Sequence, residues 1–598
     1  MKTPRLVPVL VALSLTVHAQ GPIERTPGDV DARAPFYELP DLAELARDGM
    51  RDVIARHGTD ERTLERFYDV SVSPTRRARL GELTRAWLEG LGALDFASLG
   101  LDDRIDYLLF RNRLRYDLRR LELDGAKQVE TALLLPFGPE IAELQERRRT
   151  LAPVDPEVAA RTMVRLKTTL EGVTDDVRAA QEEGRGEERF RVSATVANRA
   201  AGEVRSLRGT LEDWFAYLDG YDPLFTWWVR EPYRDLDAAL EEYARFLRED
   251  VAGVRSDDED TILGDPIGRE ALLAELEREW IPYTPAELIE IAESEFAWCD
   301  VQMARASTDL GFGEDWRAAQ EAVKAKHVGP GEQPALIRAL AFEAVDFLES
   351  RELLTIPALA KNSWRMEMMS PERQKYTPYF TGGEVISVSF PTGDMEHADK
   401  LMSMRGNNVH FSRATVHHEL IPGHHLQQFM TSRHKTWRRP FSTPFWGEGW
   451  ALYWEMLLWD EGFPKTPEDA IGMLFWRKHR CARILFSLSY ELGEWTPEQC
   501  IDFLVERVGH ERRNATAEVR RSVQGGYGPL YQAAYMLGGL QFRALQRELV
   551  GSGAWTNRAF HDAILREGSI PVELVRAKLR REEVGEGFRS IWRFYEAR

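Results

Sequence analysis

Cysteine is scarce in this chain: Cys299, Cys481 and Cys500 are the only three in 598 residues. They permit at most one disulfide and none sits in a metal-ligand pair, which excludes a disulfide scaffold and a cysteine zinc site. Each is expected as a small buried apolar residue. Positive charge is also short. Lys and Arg total 78 against 97 Asp and Glu, a net charge of −19, so the chain is a poor partner for nucleic acid or an anionic membrane surface. Beyond the N-terminus no segment reaches eighteen uninterrupted apolar residues, the least a membrane-crossing helix needs. No repeat of fixed period and no low-complexity tract is present.

The N-terminus carries Lys2 and Arg5, then an apolar run from Leu6 to Val17 broken only by Pro8, Ser14 and Thr16, then Val17-His18-Ala19. Charge, apolar stretch and small-x-small ending form the pattern of a secretory signal. Residues 1–19 are therefore expected to be removed on export, placing the mature chain in the periplasm or outside the cell. No cysteine follows the apolar run, so no lipid or other membrane anchor is expected there.

A hydrophobic share of 43% with 10% aromatics supplies a large core. Helix starts recur with one chemistry, a capping Asp or Thr followed by proline: Asp155-Pro156, Thr284-Pro285, Thr466-Pro467 and Thr496-Pro497. The last two continue to Asp469 and Gln499 in capping-box position. Ala159, Met163, Leu166, Leu170 and Val173 follow a helical rhythm. These features predict a mainly α fold: one large helical domain over 20–598, with an N-terminal half to about 335 and a catalytic half from about 336.

One stretch breaks the helical texture. Glu384 to Phe390 alternates, with Ile386, Val388 and Phe390 on one face and Ser387 and Ser389 on the other, between Gly382-Gly383 and Pro391-Thr392-Gly393. It reads as a strand. Either Ile386, Ser387, Val388 and Ser389 offer an edge to an extended peptide substrate, or the strand belongs to a small structural sheet.

The densest chemistry lies in His417-His418-Glu419-Leu420-Ile421-Pro422-Gly423-His424-His425, four of the thirteen histidines around one glutamate. A His-Glu pair with a second His on the same helix face holds a zinc ion and its general base together. His418 and His424 are six apart, however, which rotates them by about 120° on a regular helix. Pro422-Gly423 can loop out as a two-residue bulge and restore an effective spacing of four. The plainer alternative is a histidine-rich segment crossing a kinked helix without metal. His417 and His425 are the alternative ligands.

A catalytic zinc site usually has three protein ligands and a water. Glu448, twenty-four residues past His424, is the best third ligand, and Glu455 lies about two turns further on the same face, where it can orient a ligand histidine. Glu419 is then the general base, aimed at the water and not at the metal. Tyr527, Tyr531 and Tyr535 follow at four-residue steps. Tyr535, then Tyr531, are the candidates to donate to an oxyanion.

The motifs His418-Glu419-x-x-Pro422-Gly423-His424, with Gln427 or Gln428 after it, and Glu448-Gly449-Trp450-Ala451-Leu452-Tyr453-Trp454-Glu455 resemble family 885 of the bacterial domains of unknown function. Its members look like exported, largely helical zinc metallopeptidases, similar to the gluzincins, whose third ligand is a downstream glutamate. The resemblance implies His418, His424 and Glu448 as ligands of one Zn²⁺ and Glu419 as base. It also matches Tyr535 to a tyrosine in a Tyr-x-x-Gly element, although Leu530-Tyr531-Gln532 departs from the family's Pro-Gly-Gln pattern. The expected function is zinc-dependent hydrolysis of short peptides. The alternatives are a zinc amidase on non-peptide or cell-wall amides, which the same residues could serve, and a binding protein that keeps the fold without turnover.

Overall fold

The computed structural model describes residues 37–182, 186–255, 261–374, 377 and 379–596. The expected export signal, residues 1–19, lies outside them. The described chain is mainly α, with helices throughout and a single two-stranded sheet. No described helix is long and apolar enough to cross a membrane.

All four Asp/Thr-Pro pairs cap helices, with Asp155, Thr284, Thr466 and Thr496 accepting from backbone amides of the first turn. The reciprocal box closes at Thr496–Gln499 and also at Thr284–Glu287. At Thr466 only half of it forms. The Asp469 carboxylate accepts instead from the Lys465 backbone N–H at 3.1 Å and lies 2.8 Å from His410 and 3.2 Å from the Arg413 guanidinium.

The division expected near residue 335 is not a packing boundary. One core runs from Leu42 to Phe594 and unites residues 42–114 with the C-terminal helices. A second core holds Val70 and residues between Leu134 and Leu247. The long helix Leu101–Thr131 explains the split. Its first turns, through Leu114, sit in the main core, and the second core begins just past its end, at Leu134. The helix Pro285–Asp309, also from the supposed N-terminal half, runs along Pro467–Glu491 and pairs Glu295 with Arg477 at 3.0 Å.

Six helices build the site, in chain order α1 (Val409–Glu419), α2 (His424–Thr431), α3 (Pro444–Asp460), α4 (Pro467–Glu491), α5 (Arg512–Gln524) and α6 (Tyr531–Leu549). Helix α3 is apolar on nearly every side, with Trp446, Trp450 and Trp454 fully buried, as expected of a helix enclosed by others. It meets α6 at two glycines. A Cβ on Gly449 would stand 2.5 Å from Gly538 Cα, and one on Gly538 would stand 2.0 Å from the Phe445 carbonyl oxygen. Only their absence lets the backbones approach this closely.

The strand is present, and it belongs to a small sheet, the second of the two expected arrangements. β1 (Arg365–Met368) pairs in parallel with β2 (Val385–Val388), and Ser387 forms an antiparallel bridge to Thr381 on the other side of β2. Ile386 and Val388 pack on Val416 and Leu420 at the end of α1. Ser387 donates to Glu367, and Ser389 donates to Gln374. Ile386 and Val388 therefore brace the end of α1, and at Ser387 both sides of β2 are already paired.

The glycine crossing gives a test of opposite signs. Gly538→Ala places its methyl against backbone that cannot rotate away, and is expected to cost about 1–3 kcal/mol or more. Gly172→Ala, mid-helix and facing open space, should gain about 0.5–1 kcal/mol. Denaturant unfolding of the two variants measures both.

Candidate metal centre

Helix α1 stops at Glu419 and α2 starts at His424, so the bulge expected inside one helix is a turn between two. The turn nevertheless keeps the helical phase. Gly423 N–H donates to His417 O at 3.0 Å and Leu426 N–H to Leu420 O at 3.2 Å. Each bond spans six residues where a continuous helix spans four, which is a two-residue insertion into the ladder. Gly423 is required, since a Cβ there would lie 1.7 Å from His418 O. Proline at 422 has no N–H to lose, and its carbonyl accepts from the Trp450 indole at 2.8 Å, tying the turn to α3.

The imidazoles of His418 and His424 thereby face each other, ring centres 4.9 Å apart and nearly perpendicular. Glu448 arrives from α3. Its Oε2 stands 3.1 Å from His424 Nε2 and 3.6 Å from His418 Nε2. The three ligand atoms lie within 4.8 Å of one another. Glu448 Oε2 is buried and has no hydrogen-bond partner, an orphaned carboxylate oxygen of the kind that marks a missing cation. Two imidazole nitrogens and one carboxylate oxygen at these separations fit a tetrahedral zinc ion with one position left open.

The surrounding carboxylates divide the work. Glu455 Oε1 lies 2.7 Å from His418 Nδ1 and 3.3 Å from Arg480. Burial works against a charged Glu455, but Arg480 and the His418 bond hold its pKa down at about 2. An ionised acid can only accept, so Nδ1 carries the proton and Nε2 is directed at Glu448. Burial likewise opposes a charged His418, yet Glu448, Glu455 and Glu419 outweigh it and raise its pKa to about 9. Burial also opposes the charge of Glu448, and His424 and His418 hold it well below the usual carboxylate range. Glu419 differs. Burial raises its pKa, with His418 and His424 opposing only in part, and its Oε2 is 4.0 Å from His424 Nε2.

The remaining candidates separate clearly. The Tyr531 hydroxyl donates to Glu448 Oε1. Tyr535 donates to Tyr531 at 3.4 Å and its ring stacks on His418 at 6.1 Å. His417 points away. Its ring meets Phe463 edge-on, burial depresses its pKa to about 3, and neither ring nitrogen has a partner. His425 donates from Nε2 to Ala360 O at 2.8 Å. Neither joins the cluster.

Two cavities meet at His424, Gln428, Glu448 and Tyr531, one of about 300 Å³ that also contains His418, Glu419 and Tyr535, and one of about 530 Å³ beside the start of α3. The smaller is walled by residues that sequence reasoning missed. The segment Tyr379–Gly382 covers Glu419, and Gly383 N–H donates to Glu419 O at 3.2 Å. A Cβ on Gly382 would lie 2.4 Å from Glu419 Oε2. The double glycine 382–383 was a signal for such an approach. Arg480, Arg483 and Arg521 complete the wall, and nothing in their spacing to the histidine motif announced them.

A family model described as bacterial protein of unknown function (DUF885) matches residues 57–579. The chain belongs to this family. Two solved structures share the fold, each described as a "putative lipoprotein". One, from Shewanella oneidensis and of unknown function, is 16% identical, with a TM-score of 0.64 over 89% of this chain and 100% of that one. The other, from Colwellia psychrerythraea, is 15% identical, with a TM-score of 0.56 over 89% and 99%. At such identities the likeness concerns the fold alone. A comparison with curated proteins gives no match.

The electrostatics of the cluster can be tested directly. Replacing Glu455 by Gln removes the charge and acceptor that hold the His418 proton, so the His418 pKa is expected to fall from about 9 in the metal-free protein. NMR titration of labelled histidine reads this shift; an unchanged titration would mean that Glu455 does not act on His418.

Proposed function

We infer that the protein is an exported zinc metallopeptidase acting on short peptides. One observation carries the reading: two imidazole nitrogens converge on an orphaned, buried carboxylate oxygen, and a second buried carboxylate, Glu419, stands beside them without being needed as a ligand. His418, His424 and Glu448 would hold the ion. Bound zinc supplies a Lewis acid that brings the pKa of water toward ~7 and polarises a carbonyl. Glu419, with a pKa raised by burial, is suited to take a proton from water and pass it to the departing amine. Tyr535 and Tyr531 can donate to a developing oxyanion from the same wall. A scaffold protein would have no use for Glu419, and an amidase would use the same residues on another substrate. The cavities flanking the cluster, about 300 and 530 Å³, suit short peptides. The signal-like N-terminus and the structural neighbours described as lipoproteins support export to the periplasm or beyond.

The mature protein is expected to bind one zinc ion per chain by elemental analysis. His418→Ala, His424→Ala or Glu448→Ala should abolish or weaken binding, whereas His417→Ala and His425→Ala should retain it. Binding must displace a proton from His418, whose metal-free pKa is about 9. Zinc affinity should therefore rise with pH, about tenfold per unit between 7 and 9. A flat profile would show that His418 is not a ligand.

Glu419→Gln should separate binding from turnover. Zinc is expected to stay and peptide cleavage to fall by ~10²–10⁴-fold or more. Metal loss in this variant would make Glu419 a ligand instead. Tyr535→Phe should lose about a hundredfold in kcat with KM little changed, the usual cost of one oxyanion donor. A large fall confined to Tyr531→Phe would transfer that role.

A further inference from the structure

The wall of the smaller cavity carries more positive charge than its neighbours neutralise. Arg480 is committed to Glu455. Arg483 and Arg521 share one carboxylate, Glu518: Arg483 binds its Oε1 through Nε at 2.8 Å and Nη2 at 2.7 Å, and Arg521 Nη1 stands 3.8 Å from its Oε2. Arg483 is buried, and its Nη1 has no hydrogen-bond partner; the same holds for Arg521 Nε and Arg480 Nε. Glu518 is held from behind as well. Tyr379 is hydrogen-bonded to His510 at 2.8 Å, His510 to His479 at 2.9 Å, and His479 Nε2 stands 3.8 Å from Glu518. Both histidines have pKa values depressed by burial, so this chain adds no cation. With zinc balanced by Glu448 and Glu419, one guanidinium charge is left over.

A surplus buried charge with free donors, in a chain of net charge −19, is a site for an anion, because leaving it unpaired costs far more than ordinary surface repulsion. Its place fixes which anion. Arg483 lies 4.3 Å from the Tyr535 ring, whose centre is 6.1 Å from the His418 ring, so the guanidinium is within about 10 Å of a ligand histidine, at most about three residues at ~3.3–3.6 Å each, of which the carboxylate–guanidinium contact of about 3 Å takes up one. We propose that Arg483 and Arg521 bind the free α-carboxylate of a peptide substrate, making the enzyme one that releases the last one or two residues from a C-terminus. Tyr379, Phe380 and Trp476 flank the departing side chains, and the 530 Å³ cavity beyond His424 and Glu448 takes the N-terminal part. Water adds OH to the carbonyl carbon of the last or penultimate peptide bond and a proton to the departing amine. The charge count rests on a zinc ion held at the cluster, and the substrate assignment rests on the peptidase reading as well.

The test has a binding arm and a turnover arm. N-acetyl-phenylalanine and its amide are titrated into the zinc-loaded protein by calorimetry. The acid is expected to bind about 10–100-fold more tightly, as a charge-assisted pair implies, and the preference should collapse in both Arg483→Gln and Arg521→Gln. Arg521, partly exposed, guards against a folding failure of the buried variant. Equal binding of acid and amide, or a preference that survives both substitutions because the carboxylate sits on the metal, overturns the site. In the second arm an N-acetylated tetrapeptide with a free carboxylate should be cleaved about 10–100-fold better in kcat/KM than its C-terminal amide. Equal cleavage of the two, or restored cleavage of an amide ending in Asp, overturns the assignment to the terminal carboxylate and leaves the peptidase reading standing. No cleavage of any peptide, with the arginine-dependent preference for the acid intact, sinks the peptidase reading while the anion site stands.

Discussion

The bond from the Trp450 indole to the Pro422 carbonyl, 2.8 Å long, joins the two elements that the site cannot have separately. Pro422 belongs to the turn that sets His418 and His424 in phase, and Trp450 sits two residues from Glu448 on the helix that brings the third ligand. Without this link the turn would have to satisfy a buried carbonyl elsewhere, and the carboxylate would lose its register against the imidazoles. The glycine contact between α3 and α6 extends the same constraint, since the helix that carries Glu448 is also the one that fixes the depth of Tyr531 and Tyr535.

Around this frame the protein buries ionised groups in matched sets. Glu455 is charged because Arg480 and His418 face it, and Glu518 because Arg483 and Arg521 do. Each set fixes the orientation of a group at the cavity, so the cost of desolvation is spent on geometry more than on net stability. Glu419 stands apart: burial raises its pKa, where those of Glu448 and Glu455 are lowered by the groups that face them. Three buried glutamates within one cluster thus acquire different protonation behaviour from their neighbours alone.

Much of this arrangement was legible in the sequence, and the limits are physical. The phase argument for His418 and His424 needs only the helical period and the chemistry of Pro-Gly, and the seven-residue step from Glu448 to Glu455 needs only the period. Both are local. A peptide edge and a structural sheet stayed equally open for Ile386 to Ser389, because alternation reports which face is buried and says nothing of which strand or segment takes the hydrogen bonds; Thr381 and β1 take them here. The division into halves near residue 335 says nothing of packing, because a boundary in sequence texture need not follow the core, which joins residues from Leu42 to Leu114 to the C-terminal helices. Arg483 and Arg521 belong to different helices and meet only through Glu518, a tertiary event without periodic trace. His417 and His425 illustrate the converse: one residue of displacement along a helix turns a side chain by about 100°, enough to bury each against a different neighbour.

The same period limits how this segment can change in length. Between Glu419 and His424 the ladder resumes after skipping two residues, so the spacing of six behaves as a spacing of four. Removing or adding one residue in the turn would swing His424 by about 100°, out of reach of Glu448, whatever residue was involved. Point substitutions at Leu420 or Ile421 alter packing; an insertion or deletion alters the direction in which a ligand points. The turn is therefore far less free to drift in length than an ordinary surface loop, and its four residues act as a fixed spacer whose count matters as much as its composition.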